Sequence, residues 1–110
     1  MMEINDGKDL NKLLAGCKKA VVLFFAGWCP YSRSFRPIFE SECTKLKECS
    51  VAIAIVDEDD NPLWDRCGVE RVPTVVYFKN GKIAKQLVET SGEGLSKSEL
   101  VSFLKSLELV

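Results

Sequence analysis

Residues 21–32 of the chain read VVLFFAGWCPYS, and this stretch contains an abrupt change from a strand pattern to a helix pattern. The run 21–25 is continuously apolar and rich in β-branched and aromatic side chains, which is typical of a strand covered on both faces of a sheet. Gly27 ends the run, and from Pro30 onward apolar side chains recur at helical spacing as far as about Lys47. The stretch therefore predicts a central strand followed directly by a long helix.

The segments on either side predict a helix before this stretch and a strand and a helix after it. Apolar side chains fall at helical spacing over residues 8–18, and Asp6 precedes them as an N-cap. Residues 51–56 form a second covered strand, and a short helix opened by an Asn-Pro pair is predicted over 61–67. Because a helix separates the two covered strands, we expect them to pair in parallel.

The second half of the chain predicts a hairpin and a final helix. Strands are indicated over 75–78 and 83–88, and the Asn-Gly pair at 80–81 is a strong signal for a two-residue turn that makes them antiparallel. Ser96, with a glutamate at the third position after it, forms a capping-box sequence ahead of an amphipathic helix.

Together these elements predict an α/β fold in which a mixed central sheet of four to five strands is flanked by four helices. No linker or repeat interrupts residues 1–110, so we expect a single domain. Pro37 lies inside the long helix, where it removes a backbone hydrogen bond and predicts a kink.

The composition narrows the range of partners. Lys and Arg total 15 against 16 Asp and Glu, a net charge of -1, so charge favours neither nucleic acid nor an anionic membrane. The N-terminal residues are acidic and polar, unlike a secretory signal, and we expect a cytoplasmic location. The apolar runs are far shorter than the roughly 20 residues that span a bilayer.

The five cysteines include no Cys-x-x-Cys pair, which argues against a disulfide-stapled secreted scaffold and favours free thiols. The chain has no histidine, and this excludes acid, base or triad chemistry that depends on histidine. We predict no metal site and no cofactor.

The sequence Trp-Cys-Pro-Tyr-Ser at 28–32 resembles the active site of the thioredoxin family. Further stretches that carry the resemblance follow in the same order: Pro37, Val72-Pro73-Thr74, Phe78-Lys79-Asn80-Gly81-Lys82 and Leu95-Ser96-Lys97. The Cys-Pro-Tyr part is similar to glutaredoxins, whereas Trp28 and the additional N-terminal helix and strand favour thioredoxin. The resemblance covers about residues 8–109 and implies the thioredoxin fold and a monomeric thiol-disulfide oxidoreductase that reduces protein disulfides.

Cys29 is the expected nucleophile. At a helix N-terminus, unpaired backbone N–H groups and the positive end of the helix dipole favour a thiolate over a thiol. A thiolate attacks a disulfide sulfur, so Cys29 is placed to form a mixed disulfide with a substrate. The resemblance implies a thioredoxin reductase or glutathione as the electron donor.

Ser32 stands where a dithiol member of the family carries its resolving cysteine. A hydroxyl cannot displace the substrate, so the mixed disulfide should be trapped unless an external thiol resolves it. The hydroxyl and backbone N–H of Ser32 could still hydrogen-bond the Cys29 thiolate. Two origins fit this serine, a natural monothiol member or a dithiol protein altered from Cys to Ser, and the familiar dithiol sequence Cys-Pro-Tyr-Cys favours the second.

The resemblance also implies a substrate-binding surface around the nucleophile. Pro73 would be a cis proline packed against Cys29, and Val72 would offer backbone N–H and C=O groups to an extended substrate segment. The expected rim consists of Trp28, Gly27, Pro30, Tyr31 and Arg71. For Arg71, a solvated side chain without a role is an equally good explanation.

Three features depart from the family or fall outside its motif. The family's buried Asp and its strand Lys correspond to Leu23 and Ile55 here, so proton transfer would depend on water. The loop 89–95 is longer than the family's. The cysteines other than Cys29 are explained by packing, and Cys67, six residues before Pro73, is the one placed to respond to oxidants.

Two alternatives to protein-disulfide reduction stay open. A glutathione-dependent monothiol activity would remove glutathione from proteins and would need only Cys29. A non-catalytic module would use the groove beside Pro73 to bind peptides without turnover. An iron–sulfur role, known in some monothiol glutaredoxins, is disfavoured.

Overall fold

The apolar run at 21–25 lies in the central strand of a five-stranded sheet, in a computed structural model that describes residues 1–107. The elements are β1 (Met2–Ile4), α1 (Gly7–Ala15), β2 (Lys19–Phe25), α2 (Pro30–Cys43), β3 (Ser50–Ile55), α3 (Leu63–Arg66), β4 (Thr74–Lys79), β5 (Lys82–Val88) and α4 (Lys97–Ser106). The expected domain and resemblance extend past residue 107, and that end lies outside the described residues.

The sheet is mixed, as predicted, with the strand order β1-β3-β2-β4-β5. β2 pairs in parallel with β3 and antiparallel with β4, and β4 pairs antiparallel with β5. β1 was not assigned by the sequence pattern; it pairs in parallel with β3, with Ile4 opposite Ala54. This strand has three residues, of which only Ile4 is buried, so its sequence is too short to show the alternation of apolar and polar side chains that predicts a strand.

The helices begin where the sequence predicts, but α1 and α2 end earlier. At the start of α1 the Asp6 side chain accepts a hydrogen bond from the backbone N–H of Asp9. α2 continues through Pro37, where the expected kink stays a prediction, and it ends at Cys43. Beyond that point Leu46 donates its N–H to the Cys43 carbonyl, a tighter three-residue turn that ends the α-helical pattern.

The hairpin and the last helix follow the predicted turn and cap. Asn80 and Gly81 have φ values of 54° and 79°, the positive values that a type I′ turn requires at both central positions. At the start of α4, Ser96 Oγ accepts the backbone N–H of Glu99, and the Glu99 carboxylate accepts the backbone N–H of Ser96.

Alternate side chains of β2 enter two apolar cores on opposite faces of the sheet. Val22 and Phe24 pack with residues of α1 and α3, whereas Val21 and Leu23 pack with residues of α2 and α4. Both faces are therefore covered by helices, which explains why this strand lacks polar residues. Among residues 1–107, no helix is long and apolar enough to cross a membrane.

Candidate active site

Cys29 is the N-cap residue of α2 and lies at the carboxyl end of β2. Its carbonyl accepts the backbone N–H of Arg33, so the helix begins at this residue. Cys29 is 8% exposed, and its Sγ lies 3.7 Å from the carbonyl oxygen of Val72. The Cys29 side chain is thus largely enclosed, and the backbone of the chain segment before β4 bounds it on one side.

The Val72–Pro73 peptide bond is cis, and both residues are buried. Thr74 Oγ1 donates to the carbonyl of Arg71 at 2.7 Å, which closes a short turn around the proline. The structure therefore brings Cys29 and the Val-Pro segment together, although they lie far apart in the sequence.

Trp28 is 57% exposed beside the thiol, and its indole is held by the loop that follows β3. Trp28 Nε1 donates to the Asp57 carbonyl at 2.9 Å, and the Gly27 N–H donates to Asp57 Oδ1 at 2.8 Å. Sequence reasoning missed this role of Asp57. The available signal is topological, because parallel neighbours β2 and β3 end at the same edge of the sheet and Asp57 directly follows that edge.

Tyr31 and Pro30 are exposed on the first turn of α2, and the long loop 89–95 reaches this turn. A Cβ added to Gly94 would lie 2.9 Å from Tyr31 Cβ, and Gly94 has a φ of +83°. The loop therefore contacts the active-site helix at a position that only glycine fills without displacement. This contact forms one side of the surface around Cys29.

Ser32 is fully buried, and within residues 1–107 its Oγ has no hydrogen-bond partner. The hydrogen bond from this hydroxyl to Cys29 that the sequence allowed is therefore not made in the structure. Leu23 and Ile55 belong to the apolar core on the face covered by α2, where the family would place a buried Asp and Lys. The core beneath this helix is therefore apolar at the two positions that the resemblance aligns with the family's charged pair.

The Arg71 side chain forms an ion pair with Glu89, and among residues 1–107 it donates no hydrogen bond to Cys29. Its Nη1 donates to Glu89 Oε2 at 3.2 Å, and Glu89 is 7% exposed. Sequence reasoning did not single out Glu89, which follows β5 at the start of the long loop. An acidic residue in a polar loop gives no sign that it is buried.

The remaining cysteines lie in or against the two cores. Burial raises the pKa of the Cys43 thiol to about 12 and that of Cys49 to about 11. Burial also raises the pKa of Cys67, which packs in the same apolar cluster as Cys29. A raised thiol pKa leaves little thiolate at neutral pH, so Cys67 is a poor target for oxidants in the folded state. In the part of the chain that the structure describes, His, Cys, Asp and Glu form no metal-binding group.

A cysteine at the start of a helix, facing a cis-proline segment on a mixed sheet with helices on both faces, defines the thiol-disulfide oxidoreductases of the thioredoxin fold. A family model described as Thioredoxin matches residues 2–106. The chain belongs to the thioredoxin family, a family of thiol-disulfide oxidoreductases.

Individual relatives agree with this assignment. The chain is 31% identical over 105 residues to a thioredoxin of Mycoplasmoides gallisepticum, covering 96% of this chain and 100% of that protein. It is 34% identical over 93 residues to a thioredoxin of Gallus gallus, covering 84% of this chain and 83% of that protein. An X-ray structure of Fasciola hepatica thioredoxin superposes with a TM-score of 0.81 at 26% identity, covering 96% and 98% of the two chains.

Proposed function

We propose that the chain performs the first half of thiol–disulfide exchange on protein disulfides, with Cys29 as the nucleophile, and then retains the substrate as a mixed disulfide. The carrying observation is the placement of Cys29 Sγ at a helix start, 3.7 Å from the Val72 carbonyl, with a buried serine at the resolving position. The helix N-terminus favours the negative charge of the attacking sulfur.

In this step, the Cys29 thiolate attacks one sulfur of the substrate disulfide. A new S–S bond forms between protein and substrate, and the second substrate sulfur leaves as a thiolate that takes a proton from water. The substrate segment lies extended beside Val72, and its backbone forms hydrogen bonds with the Val72 backbone. The exposed surfaces of Trp28, Pro30 and Tyr31 contact the side chains of the substrate.

The second half of exchange requires a thiol that Ser32 lacks. An external thiol such as glutathione attacks the substrate sulfur of the mixed disulfide, forms a disulfide with the substrate and releases Cys29 as a thiolate, whereas attack by the substrate's own released thiol only reverses the first step. Glutathione-dependent monothiol turnover is the second candidate function, and the buried Ser32 beneath a Cys-Pro-Tyr sequence favours it. Peptide binding without chemistry is the third, and it requires an unreactive Cys29.

The location and assembly state belong to the same proposal. Reduced thiols are needed for the attack, and a reducing compartment such as the cytoplasm keeps Cys29 in that form. We propose that one chain suffices for the reaction, because Cys29, Val72 and Trp28 all belong to it.

The test is to mix reduced protein with an oxidised protein disulfide and follow the adduct by non-reducing electrophoresis and mass spectrometry. We expect a stable one-to-one adduct through Cys29, its loss in Cys29→Ser, and its retention in the control Cys17→Ser. Absence of any adduct in the unaltered chain would refute the catalytic proposal and leave peptide binding.

The Ser32→Cys variant tests the resolving position. With NADPH and a thioredoxin reductase, it should turn over disulfide substrate continuously, whereas the unaltered chain should stop after one adduct per molecule. If glutathione alone drives turnover of the unaltered chain, the monothiol activity is the correct function. If Ser32→Cys fails to turn over, the apolar Leu23 and Ile55 become the cause to examine.

A further inference from the structure

The turn between β2 and α2 leaves the backbone of Gly27 outside both the sheet and the helix. The carbonyl of Phe25, the last residue of β2, accepts the Val56 N–H from the end of β3. The Ala26 carbonyl accepts the Cys29 N–H at 3.1 Å, which closes the turn. Neither the N–H nor the carbonyl of Gly27 has a backbone partner among residues 1–107, so their partners have to be side chains or water.

Two side chains of opposite charge bond the backbone of Gly27. Asp57 Oδ1 accepts the Gly27 N–H at 2.8 Å, and Arg33 Nη1 donates to the Gly27 carbonyl at 2.8 Å. The negative carboxylate meets the donor and the positive guanidinium meets the acceptor, and such charge-assisted hydrogen bonds are stronger than those between neutral groups. Gly27 is therefore held from two sides, by the loop after β3 and by α2.

Arg33 also bonds the backbone of the nucleophile. Its N–H donates to the Cys29 carbonyl at 3.1 Å, so this one residue fixes the chain on both sides of Trp28. The largely enclosed Cys29 Sγ lies 3.7 Å from the Val72 carbonyl, and a small rotation of the turn would change the direction in which the sulfur meets a substrate disulfide. Reaction rates depend strongly on the alignment of the reacting atoms.

We propose that Arg33 is a positioning residue for mixed-disulfide formation. Its hydrogen bond to the Gly27 carbonyl fixes the β2–α2 turn, and through this turn it fixes the direction of Cys29 Sγ and of the Trp28 ring. The proposal rests on the proposed function, because the step that Arg33 serves is the attack by Cys29. The Arg33 side chain is exposed, so its loss costs the fold little and acts mainly on the turn.

The first measurement is the second-order rate at which Cys29 forms a mixed disulfide with an uncharged peptide that contains one activated disulfide. Arg33→Met should slow this rate about fivefold, because methionine has no donor for the Gly27 carbonyl. Arg33→Lys keeps a long side chain with a donor and should restore most of the rate. Lys45→Met removes an exposed cation beyond the far end of α2 and should leave the rate unchanged. Thermal unfolding checks that each variant is folded.

Two further readouts separate position from charge. The two tryptophans of the chain are Trp28 and Trp64, so in a Trp64→Phe background the time-resolved fluorescence anisotropy reports the motion of the Trp28 ring alone. Arg33→Met should increase the amplitude of this motion, and Arg33→Lys should not. The ratio of the rates of the unaltered chain and Arg33→Met should be the same at low salt and at about 0.5 M salt, because salt screens distant charges more than a direct hydrogen bond.

The outcomes distinguish the positioning role from the proposed function. If the unaltered chain forms no mixed disulfide, the proposed function fails and the role of Arg33 fails with it. If the unaltered chain reacts and Arg33→Met reacts as fast, if Arg33→Lys is as slow as Arg33→Met, or if the Trp28 ring moves no more in Arg33→Met, the exchange reaction stands and the positioning role is wrong. A rate difference that disappears at high salt would also overturn it, because Arg33 would then act through its charge.

Discussion

Ser32 buries a hydroxyl in the first turn of α2, where no acceptor or donor among residues 1–107 reaches it. A resolving thiol at the same position would bury a less polar group, since a thiol hydrogen-bonds more weakly than a hydroxyl. The two side chains differ little in size, so the helix can hold either. The chemistry of the site thus changes at one atom while its packing is preserved.

Ser32→Ala should stabilise the protein by about 1 kcal/mol, because it removes the desolvated hydroxyl and improves helix propensity. Urea unfolding with the thiols kept reduced measures the change. Ser34→Ala, an exposed position of the same helix, is the matched control and should show only the propensity gain of a few tenths of a kcal/mol. A destabilised Ser32→Ala would show that the hydroxyl has a partner.

Individual residues also mark the limit of prediction from the sequence. Cys29, Val72 and Pro73 could be proposed from the sequence because they lie in the short motifs that carry the resemblance to the thioredoxin family. The partners Asp57 and Glu89 could not, since they contact Trp28 and Arg71 across 29 and 18 residues. Such pairs depend on strand register and loop path, which no local pattern specifies.

At the scale of elements, strong local signals predicted most of the sheet and the helix starts. The covered strands, the Asn-Gly turn and the capping box each have a mechanism within a few residues. β1 and the end of α2 were not predicted correctly, because β1 exists through pairing with β3 and α2 ends through a turn after Cys43. Elements that are defined by tertiary pairing leave little trace in the local sequence.

The long loop 89–95 contacts the active-site helix where Gly94 meets Tyr31, and a substitution at Gly94 tests whether this contact supports the reaction. Gly94→Ala places a Cβ 2.9 Å from Tyr31 Cβ, so Tyr31 or the loop must move, and the rate of mixed-disulfide formation should fall about tenfold. Stopped-flow reaction with a model disulfide measures the rate.

Gly92→Ala is the control for that experiment. Gly92 has a φ of +79°, close to that of Gly94, but nothing lies within 4 Å of an added Cβ. Both variants should lose about 1 kcal/mol of stability from the left-handed backbone, and only Gly94→Ala should slow the reaction. Equal rates for the two variants would show that the Tyr31 contact has no part in the reaction.

In the whole molecule, the topology brings the functional segments to one edge of the sheet. β2 and β3 run in parallel and deliver Cys29 and Asp57 to the same end, and antiparallel β4 begins there with the cis-proline segment. The loop after β5 closes the same end through Gly94 and Glu89. Four separate connections thus form one surface, whereas the cysteines in the cores take no part in it.

Those core groups make the stability of the whole chain fall at alkaline pH. Burial raises the pKa of Cys43 from 9.0 to about 12, and it also raises the pKa of Cys49, Cys67 and Tyr77. Above pH 9 the unfolded chain loses the thiol protons, and above pH 10 it loses that of Tyr77, while the folded chain keeps them, so each rise in pH favours unfolding. Below pH 9 both states keep the thiol protons, and these groups add no pH dependence.

The expected slope for Cys43 alone is about 1.4 kcal/mol per pH unit between pH 9 and its folded-state pKa. Urea unfolding at pH 8, 9 and 10 under reducing conditions should show the fall, and Cys43→Ala should make the fall smaller by the share of Cys43, even though the cavity lowers stability at every pH. Ser41→Ala, an exposed position of the same helix without a titrating group, should keep the original slope. An unchanged slope in Cys43→Ala would show that this thiol is ionised as easily in the folded as in the unfolded chain, which requires water to reach the core behind α2.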